Sequence, residues 1–110
     1  MIGALYSGIS GLKANTSAMS VIGDNIANVH TTGFKSSNVS FSNVFSSSLG
    51  QSSMQIGRGV TMSGIAANWN SGTMETTSTV TDLAINGQGM FIVNDSAGSA
   101  QYYTRAGQFE

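Results

Sequence analysis

The chain has 110 residues, 14 of them glycine, with no cysteine and no proline; only 8% are Asp, Glu, Lys or Arg, and the formal net charge is -1. That balance excludes a nucleic-acid binder, which carries a basic patch, and electrostatic attachment to an acidic membrane surface. Without cysteine there is no disulfide, no thiolate metal site and no cysteine nucleophile, and about half of the chain is Ser, Thr, Asn and Gly, well above ordinary usage.

Residues 2–29 predict one amphipathic helix. Ile2, Leu5, Ile9, Leu12, Thr16, Met19 and Ile26 recur in alternating steps of three and four, with one gap at Gly23, and Ile22 and Val29 flank the stripe. Such a helix is ~40 Å long at 1.5 Å per residue. Its other faces are small and neutral. Gly3, Ser7, Ser10, Ala14 and Ser17 form a second row, Ala4, Gly8, Gly11, Asn15 and Ala18 a third, and Lys13 and Asp24 are the only charges. A solvated helix normally carries a charged outer face, whereas small neutral faces admit close neighbours. Four glycines in the helix each cost roughly 1 kcal/mol relative to alanine, so the helix is expected to need partners to form. The opening MIGALYSGISGLKA has no basic stretch before its apolar residues, so a cleaved secretory signal is not expected. Export would then take another route.

The helix stops within DNIANVHTTGFKSS, residues 24–37. Asn28 suits a helix end because asparagine tolerates the left-handed conformation, and Gly33 offers a second position of positive φ. Phe34 can anchor the redirected chain, with Lys35 facing solvent or a carbonyl-rich helix end. From Thr31 to about Gly59 periodicity fades into a serine-rich stretch, extended or loosely ordered, with Val39, Phe41, Val44, Phe45 and Leu49 as hydrophobic anchors. Phe41 and Phe45, four apart, could share one face of a short helical turn.

From Val60 the period becomes two-like. TMSGIAA, TMETTSTVT, DLAIN, MFIVN and QYYTRA read as short strands bounded by Gly, Asn and Asp. Asn86-Gly87 between residues 83–85 and 90–93 is a hairpin signal, and residues 94–98 form a second turn. The fold class expected is α+β: a long N-terminal helix (1–29), an extended Ser-rich linker (30–60), and the beginning of a β-rich domain (61–110) that looks cut off at Glu110.

No catalytic set emerges. His30 is the only histidine and has no carboxylate pair or cysteine beside it. No serine stands in a Gly-x-Ser-x-Gly frame, and Gly87-Gln88-Gly89 and Gly57-Arg58-Gly59 lack the strand, helix and third glycine of a phosphate loop. Asp24, Glu75, Asp82 and Asp95 are scattered, as caps and turn residues are. Neither enzyme nor cofactor is expected. A membrane-active amphipathic helix calls for Lys or Arg on its polar face, and only Lys13 is there.

The wording DNIANVHTTGFK resembles the signature of the bacterial flagellar rod and hook proteins, through Asn25, Ile26, Ala27, Asn28, Thr31, Thr32, Gly33, Phe34 and Lys35. IGRGVTMSGI resembles the family's segment after the linker, and TDLAINGQGMFIV and YTRAGQFE the shared start of its β-rich domain. FSNVF favours the hook branch over the rod branch. The resemblance implies a homo-oligomeric helical polymer whose terminal helices form the innermost wall of a hollow tube, with Ile2, Leu5, Ile9, Leu12, Met19, Ile22 and Ile26 as the subunit-packing residues. It implies no nucleic acid and no small-molecule substrate. The implied partners are the rod, the hook-cap and hook–filament junction proteins and the flagellar export apparatus. Phe41 and Phe45 would be read by the export gate. The implied location is the hook and basal body, extracellular after flagellar type III export. Family members are longer and return with a second helix, so the chain is expected to be an N-terminal part. Many relatives also carry proline just before the Asp-Leu pair, where this chain has Thr81.

Overall fold

The computed structural model describes residues 1–45 and 56–110. Leu49 and most of the serine run therefore lie outside the described residues. Helix α1 spans Ile2–Ala27. Among the described residues four strands follow: β1 Ser37–Asn43, β2 Val60–Ala67, β3 Phe91–Asn94 and β4 Gln101–Thr104. They form two separate antiparallel ribbons, β1 with β2 and β3 with β4. The architecture is the expected α+β, one long helix followed by β hairpins. No described helix is long and apolar enough to cross a membrane.

The chain divides into two compact units, residues 1–26 with 36–67 and residues 27–35 with 68–110. In the first, the β1–β2 ribbon runs in register from Ser37↔Ala67 to Asn43↔Val60, with a bulge between Ser40 and Phe41. Val44 N–H donates to Gly59 O at 3.0 Å and extends the ladder by a step. Two contacts fix the ribbon to the helix. At one end Asn25 bonds the backbone of Ser37, and at the other Ser10 Oγ accepts from Val60 N–H at 3.3 Å. Ser10 and Asn25 are ~22 Å apart along a helix, and seven strand residues cover ~20 Å. The lengths match, so ribbon and helix lie side by side.

The helix face along this ribbon is the small-residue row. Ala14 is 7% exposed, the only buried apolar side chain among the described residues, and Ser7, Ser10, Ser17, Ala18 and Val21 are half-buried. Gly59 shows why small residues are needed there. It sits at φ 99°, and a side chain on it would collide with Ser10 Oγ and come within 3.2 Å of Ser7 Cα. The ribbon's backbone thus lies directly on the helix, where the sequence suggested a neighbouring helix.

The second unit begins with the turn after α1. Thr31 N–H donates to Asn28 O at 3.0 Å and Phe34 N–H to Thr31 O at 3.2 Å. Asn28 is not left-handed: no non-glycine residue described has positive φ. Two successive turns end the helix instead, and only Gly33, at φ 74°, takes up the expected conformation. Farther on, β3 and β4 pair from Phe91↔Thr104 to Asn94↔Gln101, closed by Asp95 N–H to Ala100 O at 3.0 Å and Gly98 N–H to Asp95 O at 2.8 Å. An isolated bridge, Asp82↔Gln108, and the Leu83 N–H bond to Gly107 O at 2.8 Å tie residues 82–83 to the end of the chain. Phe91 and Phe109 meet edge to face at 5.3 Å.

Two expected strands do not form. TMETTSTVT is exposed throughout and has no regular structure, because a run of Thr and Ser offers no apolar side to bury and no strand pairs with it. DLAIN contributes only the bridge at Asp82. The Asn86-Gly87 turn exists, with Gly87 at φ 111°, but it does not join two paired strands. Strand β3 instead takes its partner from the turn at residues 95–100.

Candidate assembly surface and signature turn

The residues of the helical stripe stand roughly half a turn from the covered row and face away from the ribbon. Leu5 and Leu12 are 67% and 69% exposed and Met19 66%. Ile2, Ile9, Ile22 and Ile26 are exposed with them; Val29, beyond the helix end, is exposed as well. Scattered exposed apolar residues are normal, but a continuous row of them along one helix marks a surface for association. The polar side chains nearby do not compete for that surface. Asn15, Thr16, Ser17 and Ser20 each donate to the carbonyl four residues earlier, at 2.9, 2.8, 3.2 and 3.2 Å. Their donors are thereby satisfied within the helix, leaving a charge-poor, apolar exterior.

The signature residues are divided between the two units. Asn25 belongs to the first, where Nδ2 donates to Ser37 O at 2.8 Å and Oδ1 accepts from Ser37 N–H at 2.9 Å. Asn28, Thr31, Thr32, Gly33, Phe34 and Lys35 belong to the second. Thr31 Oγ1 donates to Asn28 Oδ1 at 3.0 Å, which tightens the turn. Gly33 packs on the backbone of Arg105 and Ala106, where a Cβ would approach within 2.6–2.7 Å. The turn therefore requires glycine twice, for its φ and for this contact. Lys35 Nζ donates to Asn70 O at 2.9 Å, a carbonyl partner outside the helix end.

Sequence reasoning missed Arg105. Its guanidinium donates to three backbone carbonyls of one loop: Ile85 O at 3.0 Å, Gly87 O at 2.6 Å and Gly89 O. Five N–H donors in a fixed fork suit this arrangement, and no other side chain could replace it. The only signal was the alternation of glycines in NGQG, which frees successive carbonyls to turn the same way. Lys35, Trp69, Met90, Ile92, Tyr103 and Arg105 also line an open cleft of about 560 Å3.

Phe41 lies within β1 opposite Met62, and Phe45 follows the strand at 83% exposure. They do not share a helical turn, because Phe41 is held in the extended ladder. Among the described residues no group of His, Cys, Asp and Glu converges as metal ligands would.

Residues 5–35 match the family described as flagella basal body rod protein. Over 99% of its length the chain is 37% identical to the flagellar hook protein FlgE of Helicobacter mustelae, covering 27% of that protein. It is 40% identical to FlgE of Escherichia coli, over 97% of the chain and 25% of the relative. It is also 40% identical to the flagellar basal-body rod protein FlgG of Bacillus subtilis, over 99% of the chain and 45% of the relative. The chain thus spans about a quarter of the length of these hook relatives and under half of the rod relative. Over nearly its whole length the chain is thus similar to hook and rod proteins of the bacterial flagellum.

Proposed function

We propose that this chain is the N-terminal part of a flagellar hook subunit, which polymerises into a flexible hollow tube and passes motor torque to the filament. The observation that carries this reading is the two-sidedness of α1. Its small face is occupied by its own ribbon, while Leu5, Ile9, Leu12 and Met19 face solvent. A helix with that division gains by burying its stripe against copies of itself, at about 25 cal/mol per Å2 of apolar surface. Residues 1–29 would line the channel, 30–60 would link the tube to outer domains, and 61–110 would open a β-rich domain. Rod, hook-cap and hook–filament junction proteins would flank the polymer. Phe41 and Phe45 would be read by the export gate before folding, and the subunit would work outside the cell after type III export. The work is mechanical, not enzymatic.

A rod subunit is the second reading, favoured by the 40% identity to the rod protein, which the chain covers more fully than the hook relatives. Cryo-electron microscopy of intact hook–basal bodies separates the two. Density for residues 1–29 along the channel of the curved segment outside the cell supports the hook; density only in the straight segment within the envelope supports the rod. Absence from both would sink the axial reading.

A further inference from the structure

The Asn86-Gly87 pair closes no hairpin, yet it places a reactive amide in the loop that holds Arg105. We infer that Asn86 is a site of spontaneous deamidation in the folded chain. It is the one asparagine followed by glycine. Glycine has no Cβ to obstruct its backbone nitrogen from reaching the preceding side chain. The other asparagines precede Val, Thr, Ile, Trp, Ser or Asp, all of which crowd that approach.

The fold leaves both reacting groups open. Asn86 and Gly87 are exposed. The bonds of this loop run from Arg105 to the carbonyls of Ile85, Gly87 and Gly89, and from Ser71 Oγ to Gly87 O at 3.4 Å. The peptide group between Asn86 and Gly87 takes part in none of them. Its nitrogen, once deprotonated, attacks Asn86 Cγ. The new N–C bond closes a five-membered succinimide, the bond from Cγ to the side-chain nitrogen breaks, and that nitrogen leaves as ammonia. Water then adds to one of the two ring carbonyls and opens the ring, giving aspartate or isoaspartate. The net exchange is an amide and water for a carboxylic acid and ammonia, with no oxidant and no enzyme.

The two products differ in what they do to the loop. Aspartate keeps the backbone path and adds a carboxylate beside the carbonyls that hold the guanidinium. Isoaspartate routes the chain through the former side chain and adds a methylene between the carbonyls of Ile85 and Gly87, both of which hold Arg105. The spacing of the three acceptors is then lost.

The test incubates the folded full chain in mildly alkaline buffer, with a parallel sample in urea, and maps every asparagine by peptide mass spectrometry and isoaspartyl methyltransferase labelling. The expected result is that Asn86 converts first in the folded sample, and that N86Q abolishes both the mass change and the label in its peptide. If the folded chain keeps the Asn86 amide while the urea sample loses it, the inference is overturned. Earlier conversion of another asparagine, or persistence of the signal in N86Q, overturns it equally.

Discussion

Asn25 grips the backbone of Ser37 from both sides, donating to its carbonyl at 2.8 Å and accepting from its N–H at 2.9 Å. A side-chain amide here does what a neighbouring strand would do for the first residue of β1. It closes the base of the signature turn and fastens the ribbon to the helix within the first unit. Aspartate has the same shape but lacks the donor, which explains the need for asparagine at this place.

Removing that grip leaves a half-buried N–H and carbonyl unpaired, at about 1–3 kcal/mol. Asn25→Ala is expected to lower the urea midpoint of helix loss by circular dichroism and to speed amide exchange at Ser37. Asn25→Asp, whose carboxylate would face the Ser37 carbonyl, is expected to do no better.

The two sides of α1 should respond in opposite ways to substitution. Leu12→Ser, on the exposed stripe, is expected to change the stability of the isolated chain by no more than about 0.5 kcal/mol, because solvent already surrounds Leu12. Ala14→Leu, under the ribbon, forces extra volume into a closed contact and is expected to cost about 1–3 kcal/mol. Thermal unfolding of the two variants checks the contrast. The usual rule that large apolar positions are the sensitive ones should be reversed here.

Gly33 tests the signature turn. Gly33→Ala carries the left-handed strain of about 1–2 kcal/mol and adds a clash with Arg105 and Ala106. Asparagine tolerates the left-handed region but cannot avoid the clash. Gly33→Asn is therefore expected to remain well below the parent in thermal stability, whereas strain alone would let it recover most of the loss.

Arg105→Lys keeps the charge and loses the fork. Hydrogen bonds to charged groups are worth about 1.5–3 kcal/mol each when fully made, and this site is partly open, so the low end applies. The expected result is an earlier unfolding transition of the second unit, followed by the emission of Trp69, the only tryptophan, which lines the same cleft.

The helix was legible because a period near 3.5 survives over three heptads, although the expected end at Val29 lies two residues beyond the observed end at Ala27, where two turns take over. What covers the helix was not. Ser7, Ser10 and Ala14 are small enough for a neighbouring helix or for the chain's own backbone, and nothing local distinguishes the two. The Asn86-Gly87 signal failed for a related reason. It specifies local φ values, which the loop has, but not a partner strand, and here the freed carbonyls turn inward to Arg105. Arg105 itself is invisible to periodicity, since its partners lie 16–20 residues away and are all backbone atoms. Phe41 and Phe45 were ambiguous at four-residue spacing, and the β1–β2 ladder decided the matter for Phe41.

The central claim is that the stripe of α1 is open in the free subunit and closed in the assembled one. These 110 residues hold no cysteine, so Leu12→Cys adds to them one thiol, placed on that stripe, whose labelling is read in the residue 12 peptide. Maleimide labelling of this variant should be rapid in the free chain and blocked in purified assembled flagella, with full labelling restored on depolymerisation. Equal labelling in the free and assembled forms would contradict the account.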